Sequence, residues 1–176
     1  MIEGRNKGPS CLREERLFSA LVFACFCNQL ECLRVLFNHG QELTKLSHSE
    51  FIAEWLGGVT EQRDCLFYAV GHNNADLLSF LLTEVKLGAR VNDKNAEGSS
   101  LLHVAAKNGS ERMIFELAGD EPGYQAEVNA VDAEGNTPLH VAAFAKYAST
   151  ARFLLSLGAG LELQNKAGQT PLHAAV

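Results

Sequence analysis

The sequence predicts an all-α solenoid of stacked helix-turn-helix units, and three observations carry that prediction. One phrase returns three times, as "GSSLLHVAA" at 98–106, "GNTPLHVAA" at 135–143 and "GQTPLHAAV" at 168–176. His103, His140 and His173 are thereby separated by 37 and then 33 residues, and Gly98, Gly135 and Gly168 repeat the same two steps. A period of this length marks an architecture in which each unit touches only its neighbours. The residues after each phrase carry apolar side chains at helical spacing. Hydrophobic residues make up 47% of the 176-residue chain, which argues against wholesale disorder.

The unit at 133–166, "AEGNTPLHVAAFAKYASTARFLLSLGAGLELQNK", shows the physical grammar best. Thr137 can cap the first turn, and Pro138 suits the first helical position because its missing N–H is not needed there. Leu139, Ala142 and Ala143 form an apolar stripe small enough for close helix approach. A second helix carries Ala151, Phe153, Leu154, Leu155 and Leu157 at i, i+3, i+4 spacing, and "LGAG" stops it with a left-handed glycine cap. Such a pair has apolar faces on both sides, so stacking is what buries it. A period near 33 with T-P-L-H followed by alanine resembles the ankyrin repeat.

Taken in order, a tail at 1–12 opens with "MIEGR", which reads either as a processing-protease site left from expression or as natural sequence. The repeat domain spans 13–176. Its first unit, 16–43, fits the frame with Val22 at the histidine position, and "NQLECLRVLFNHG" follows the second-helix pattern of the family it resembles. A helical insertion at 44–61 follows. Within it "SHSEFIAEWLGG" has Ser47 or Ser49 as cap, apolar Phe51, Ile52, Trp55 and Leu56, and a Gly-Gly stop. Trp55 either packs on the side of the solenoid or anchors a partner. Unit 62–95 has Phe67 at the histidine position and residues inserted near 84–87. Unit 96–132 has Ser100 and Leu101 in place of Thr-Pro, and its extra residues fall near 119–125. Unit 133–166 is followed by a truncated fifth, 167–176. "TPLHAAV" lacks the polar outer face of a capping repeat, so the chain reads as a monomeric fragment of a longer protein.

Composition narrows the function. Twenty-one acidic and 15 basic side chains give a net charge of −6, which offers no attraction toward phosphate backbones or anionic membranes. Cys11, Cys25, Cys27, Cys32 and Cys65 form neither a C-x-x-C pair nor a zinc frame, and they read as small apolar residues in a reducing compartment. "LFSALVFACFC" at 17–27 has signal-peptide length, but Glu14 and Glu15 precede it and "NQLE" follows where a cleavage site would stand. It is also too short to span a bilayer. These features predict an intracellular protein with no membrane insertion, cytoplasmic first, with the nucleus or delivery into a host cell as alternatives.

The three histidines allow a metal, a catalytic and an architectural reading. Equivalent positions in stacked units lie roughly 8–10 Å apart, whereas two nitrogens on one zinc lie within about 4 Å. The three therefore cannot share an ion. A catalytic histidine needs a nucleophile and an orienting group, and repeating one supposed site in successive units is a poor way to build a pocket. No phosphate-cradling glycine loop and no H-E-x-x-H is present. "NGS" at 108–110 is a formal glycosylation acceptor that falls at a turn between helices. The sequence thus predicts no catalytic residue, no metal site and no cofactor. The resemblance implies instead that His103, His140 and His173, with Thr137, Pro138, Thr170 and Pro171, are structural.

The resemblance also implies a binding surface, since ankyrin repeats usually receive partners on the concave face made by hairpin tips and first helices. Position by position, that face corresponds to Ala96, Glu97, Ser99, Lys107 and Asn108 in one unit and to Ala133, Glu134, Asn136, Phe144 and Ala145 in the next. Lys166, Ala167 and Gln169 follow, Lys146 and Tyr147 extend the patch, and His72 and Phe26 occupy similar places in degenerate units. Phe144 either fills a local gap or waits for a partner. The expected function is a non-catalytic module that binds another protein and not nucleic acid. The alternative is the targeting or regulatory region of a larger enzyme, bacterial effector or channel.

Overall fold

The computed structural model describes residues 17, 20, 21, 23–25, 27, 29–44, 46, 47, 50, 65–119 and 124–175. The tail at 1–12, Val22, Phe26, Ser49, Phe51, Ile52, Trp55 and Leu56 of the 44–61 insertion, and residues 120–123 lie outside them. Two compact units divide the chain, Met1–Cys65 and Leu66–Val176.

In the first unit, Leu21 and Cys25 are fully buried in helical backbone. Helix α1 (Leu30–Thr44) buries Leu33, Phe37 and Gly40, a single face at i, i+4, i+7. Glu31 in its first turn complements the positive end of the helix. The helix runs through Gly40. It continues for another turn, and the Thr44 hydroxyl donates to the Gly40 carbonyl at 2.9 Å. Gly40 is buried there, so the glycine serves close packing inside the helix and not a cap. Beyond it, Ser47 pairs with Glu50. Its N–H and hydroxyl both donate to the Glu50 carboxylate, and the Glu50 N–H returns to the Ser47 hydroxyl. This reciprocal box holds the Glu50 carboxyl below its ordinary range, chiefly through the hydroxyl hydrogen bond.

The second unit is built from α2 (Cys65–Gly71), α3 (Ala75–Thr83), a short 3-10 turn (Leu87–Arg90), α4 (Leu101–Lys107), α5 (Glu111–Ala118), α6 (Pro138–Phe144), α7 (Ala148–Ser156) and α8 (Pro171–Ala174). Helices α4, α6 and α8 pack in one layer, α3, α5 and α7 in a second, and α4–α5 and α6–α7 are packed pairs. Leu101, Leu102, Ala105, Ala106, Met113, Ile114, Leu117, Leu139, Ala142 and Leu154 fill the space between the layers. Alanine at 105, 106 and 142 lets first helices approach closely. Within α7 only Thr150 and Leu154 are buried, while Leu155 is exposed and Leu157 forms the cap outside the helix. Leu155 sits about 100° round the helix from Leu154 and faces solvent.

Within each pair the turn is the same. Asn73, Gly109 and Lys146 hold left-handed φ values of 53°, 67° and 61°. After α6, the Lys146 N–H reaches Ala143 O and the Tyr147 N–H reaches Ala142 O, and the other two turns repeat that double closure. Only the middle turn demands glycine on space, because a Cβ on Gly109 would meet the Tyr147 ring at 2.8 Å.

Between pairs the chain makes a hairpin tip, three times over. Asn95, Asp132 and Asn165 open the tips, and each side-chain oxygen accepts two backbone N–H groups, those of Glu97 and Ser99, Glu134 and Asn136, and Ala167 and Gln169. Successive tips are hydrogen-bonded, from Ala133 N–H to Glu97 O and from Lys166 N–H to Glu134 O. At the base, Asn92 spans Gln125 and Glu127, and Asn129 likewise spans Gly158 and Gly160. No described helix is long and apolar enough to cross a membrane.

The tip glycines yield a graded prediction. Gly98, Gly135 and Gly168 all have φ between +71° and +80°. A Cβ would meet Ala133 N at 2.9 Å from Gly98 and Lys166 N at 3.0 Å from Gly135, but nothing within 4 Å from Gly168. Gly168→Ala should cost about 1–2 kcal/mol for the left-handed backbone alone. Gly98→Ala and Gly135→Ala should each cost about 1–3 kcal/mol more through the close approach. Thermal unfolding of the three variants checks the order.

Candidate binding surface

The first turn of each inner helix carries the side chains that set the tips in place. Ser100, Thr137 and Thr170 precede α4, α6 and α8 in extended backbone, and each pairs with the histidine three residues on. Thr137 N–H donates to His140 Nδ1 at 3.1 Å, and Ser100 N–H donates to His103 Nδ1 at the same distance. A backbone N–H can only donate, so Nδ1 is the acceptor and the proton resides on Nε2. That Nε2–H then donates across the stack, from His103 to Asn136 O at 2.8 Å and from His140 to Gln169 O at 2.9 Å. His173 keeps the local pairing with Thr170, and its ring is exposed. Pro138 and Pro171 take the first helical position, where an absent N–H leaves no gap.

Protonating His103 would set a second N–H against the backbone donor at Nδ1. Burial also favours the neutral form. It holds His103 below its ordinary value of 6.5, aided by the Lys94 charge and opposed by the Asn136 carbonyl and Asp132.

With tips fixed on one side and helix ends on the other, the inner layer leaves two adjoining hollows. The larger, about 820 Å³, is lined by Glu97, Ser99, Lys107, Asn108, Glu134, Phe144 and Ala145 together with Asn95, His103, Val104, Asp132, Val141 and Gly71. The smaller, about 520 Å³, is lined by Ala133, Glu134, Asn136, Phe144, Asn165, Lys166 and Ala167. Phe144 and Glu134 belong to both. Phe144 is 51% exposed, so its ring does not fill a gap in the core.

Other residues implied for this surface stand apart from the hollows. Ala96 is exposed on a tip, and Gln169 offers its carbonyl to His140. Lys146 holds the left-handed turn position, and Tyr147 lies over Gly109. His72 stacks on Tyr68 with ring centroids 4.1 Å apart. The hollows also contain residues that motif reasoning passed over. The motif assigns Val104 and Val141 no role, yet both are only half-buried and line the larger hollow. Asn95, Asp132 and Asn165 do have a signal, an Asx residue three before each tip glycine.

Charge on this surface is uneven. Glu97, Asp132 and Glu134 line the larger hollow against one cation, Lys107. Asp132 is occupied by the Glu134 and Asn136 N–H groups and by Asn136 Nδ2. Among the described residues, no group of three His, Cys, Asp or Glu side chains could hold a metal ion.

Residues 102–176 match a family model described as ankyrin repeats, in three copies. No curated protein matches the chain.

Two predictions rest on the histidines. His140→Ala should lower stability by about 2–4 kcal/mol, through the cavity and the orphaned Thr137 N–H. The exposed His173→Ala should change it far less, and denaturant unfolding compares the two. For pH, the unfolded chain protonates His103 near 6.5 while the native state resists, so stability is full above 6.5 and declines as pH falls below it. A His103→Gln variant should lose part of that slope in melting temperature against pH.

Proposed function

Residues 102–176 belong to the ankyrin repeat family, whose repeats generally serve protein–protein interaction, and from that premise we propose that this chain captures a partner protein on its concave face without catalysing a reaction. The observation that carries the reading is Phe144. A large aromatic ring, 51% exposed, lines both preformed hollows. Exposed aromatic side chains beside concave surface are the usual anchors of protein interfaces. The tips and first helices around it are held by backbone and histidine hydrogen bonds, so little ordering opposes binding. The acidic lining and the net charge of −6 support a protein partner over nucleic acid.

The test replaces the anchor and fills the hollow beside it. Phe144→Ala with Ala145→Arg should abolish capture of the proteins that the unaltered chain retains from cell extract, with an unchanged melting temperature. Equal recovery of the same proteins by both chains would place the binding surface elsewhere.

A further inference from the structure

The larger hollow carries more than an apolar anchor. Val104 and Val141 are equivalent residues of α4 and α6, and Phe144 lies one turn beyond Val141. Together they give an apolar strip along the hollow. Glu97 and Glu134 are equivalent residues of successive tips, so their backbones stand about 8–10 Å apart. Both are exposed, and neither has an ion-pair partner among the described residues. Their carbonyls accept the Ala133 and Lys166 N–H groups, which fixes the rim that presents the carboxylates. Asp132 adds a third carboxylate to the lining. The cation in that lining, Lys107, ends α4, about 10 Å along the helix from its first turn.

We propose that this hollow receives a segment of the partner in which an apolar side chain adjoins an arginine or lysine, the apolar group lying on Val104, Val141 and Phe144 and the cation between Glu97 and Glu134. The proposal rests on the reading above that the concave face binds protein, and it names the chemistry of what is bound. Arginine suits the rim best, because its planar fork can meet two carboxylates from one position. An acidic or phosphorylated segment is excluded by the same rim, since like charges brought together without counter-charge are unfavourable.

A peptide library displayed on phage and selected on the immobilised 176-residue chain tests this. Selected peptides should share an apolar residue within two positions of Arg or Lys. For the strongest peptide, Glu97→Gln with Glu134→Gln should weaken binding about two- to thirty-fold, the range for two solvent-exposed ion pairs, and the loss should shrink in high salt. Replacing the peptide cation with glutamate should abolish binding, and Glu134→Lys should restore part of it. If selected peptides lack cations, or the double glutamine variant binds equally while Phe144→Ala does not, the charge assignment is overturned and the concave face stands. If binding survives Phe144→Ala as well, the concave-face reading fails with it.

Discussion

The hydrogen bond from a histidine Nε2–H to the carbonyl of the next tip is the contact on which the rest of the second unit depends. It joins the first turn of one helix to the hairpin of the following repeat, which nothing local could do. Each bond needs its ring in one tautomer, and the serine or threonine backbone N–H at Nδ1 imposes it. The accepting carbonyls, Asn136 O and Gln169 O, are the same ones that close their own tips by accepting the Asp132 and Asn165 N–H groups. Cap, bridge and hairpin are therefore one connected network, in which each buried polar group has a partner. Among buried side-chain atoms of the described residues, the Thr150 hydroxyl is left without one.

That network explains why a binding surface can vary without disturbing the fold. Positions 97 and 134 share a backbone setting fixed by tip-to-tip hydrogen bonds, and their side chains are exposed. Lys107 and Phe144 end equivalent helices whose closure is made by backbone atoms alone. At such sites a carboxylate, an amine or an aromatic ring can be exchanged at little cost to stability. The exposed positions are thus separated from those that hold the fold, as a repeat architecture permits.

Much of this was legible because the grammar is local and repeated. The period, the Thr-Pro start, the positive-φ glycines and the alternation of inner and outer helices each follow from one or two residue types in fixed order. What escaped is decided by neighbours distant in sequence. Leu155 fits the apolar spacing and faces solvent. Val104 and Val141 lie outside the apolar stripe read at Leu139, Ala142 and Ala143, and both line the larger hollow. Lys146 has the composition of a surface contact and instead holds a left-handed turn, for which nothing in its type argues.

The degenerate unit shows how stacking survives when the key histidine is absent. Phe67 stands at its position in α2 and cannot donate a hydrogen bond. The polar link on that side comes from the next repeat instead. Asn108 Nδ2 donates back to Gly71 O at 3.0 Å, and the Ser110 hydroxyl donates to Asn73 Oδ1. One repeat further on, the positions equivalent to Asn108 and Ser110 are Ala145 and Tyr147, and there the forward bridge from His103 is present while Tyr147 supplies apolar cover on Gly109. Beside the asparagine ties at the base, the α4–α6 junction is therefore bridged at the tip end and the α2–α4 junction at the turn end. Where the tie sits at the tip, as between α4 and α6, the turn end is released from that duty. Ala145 is then free to be small, which opens the hollow beside Phe144.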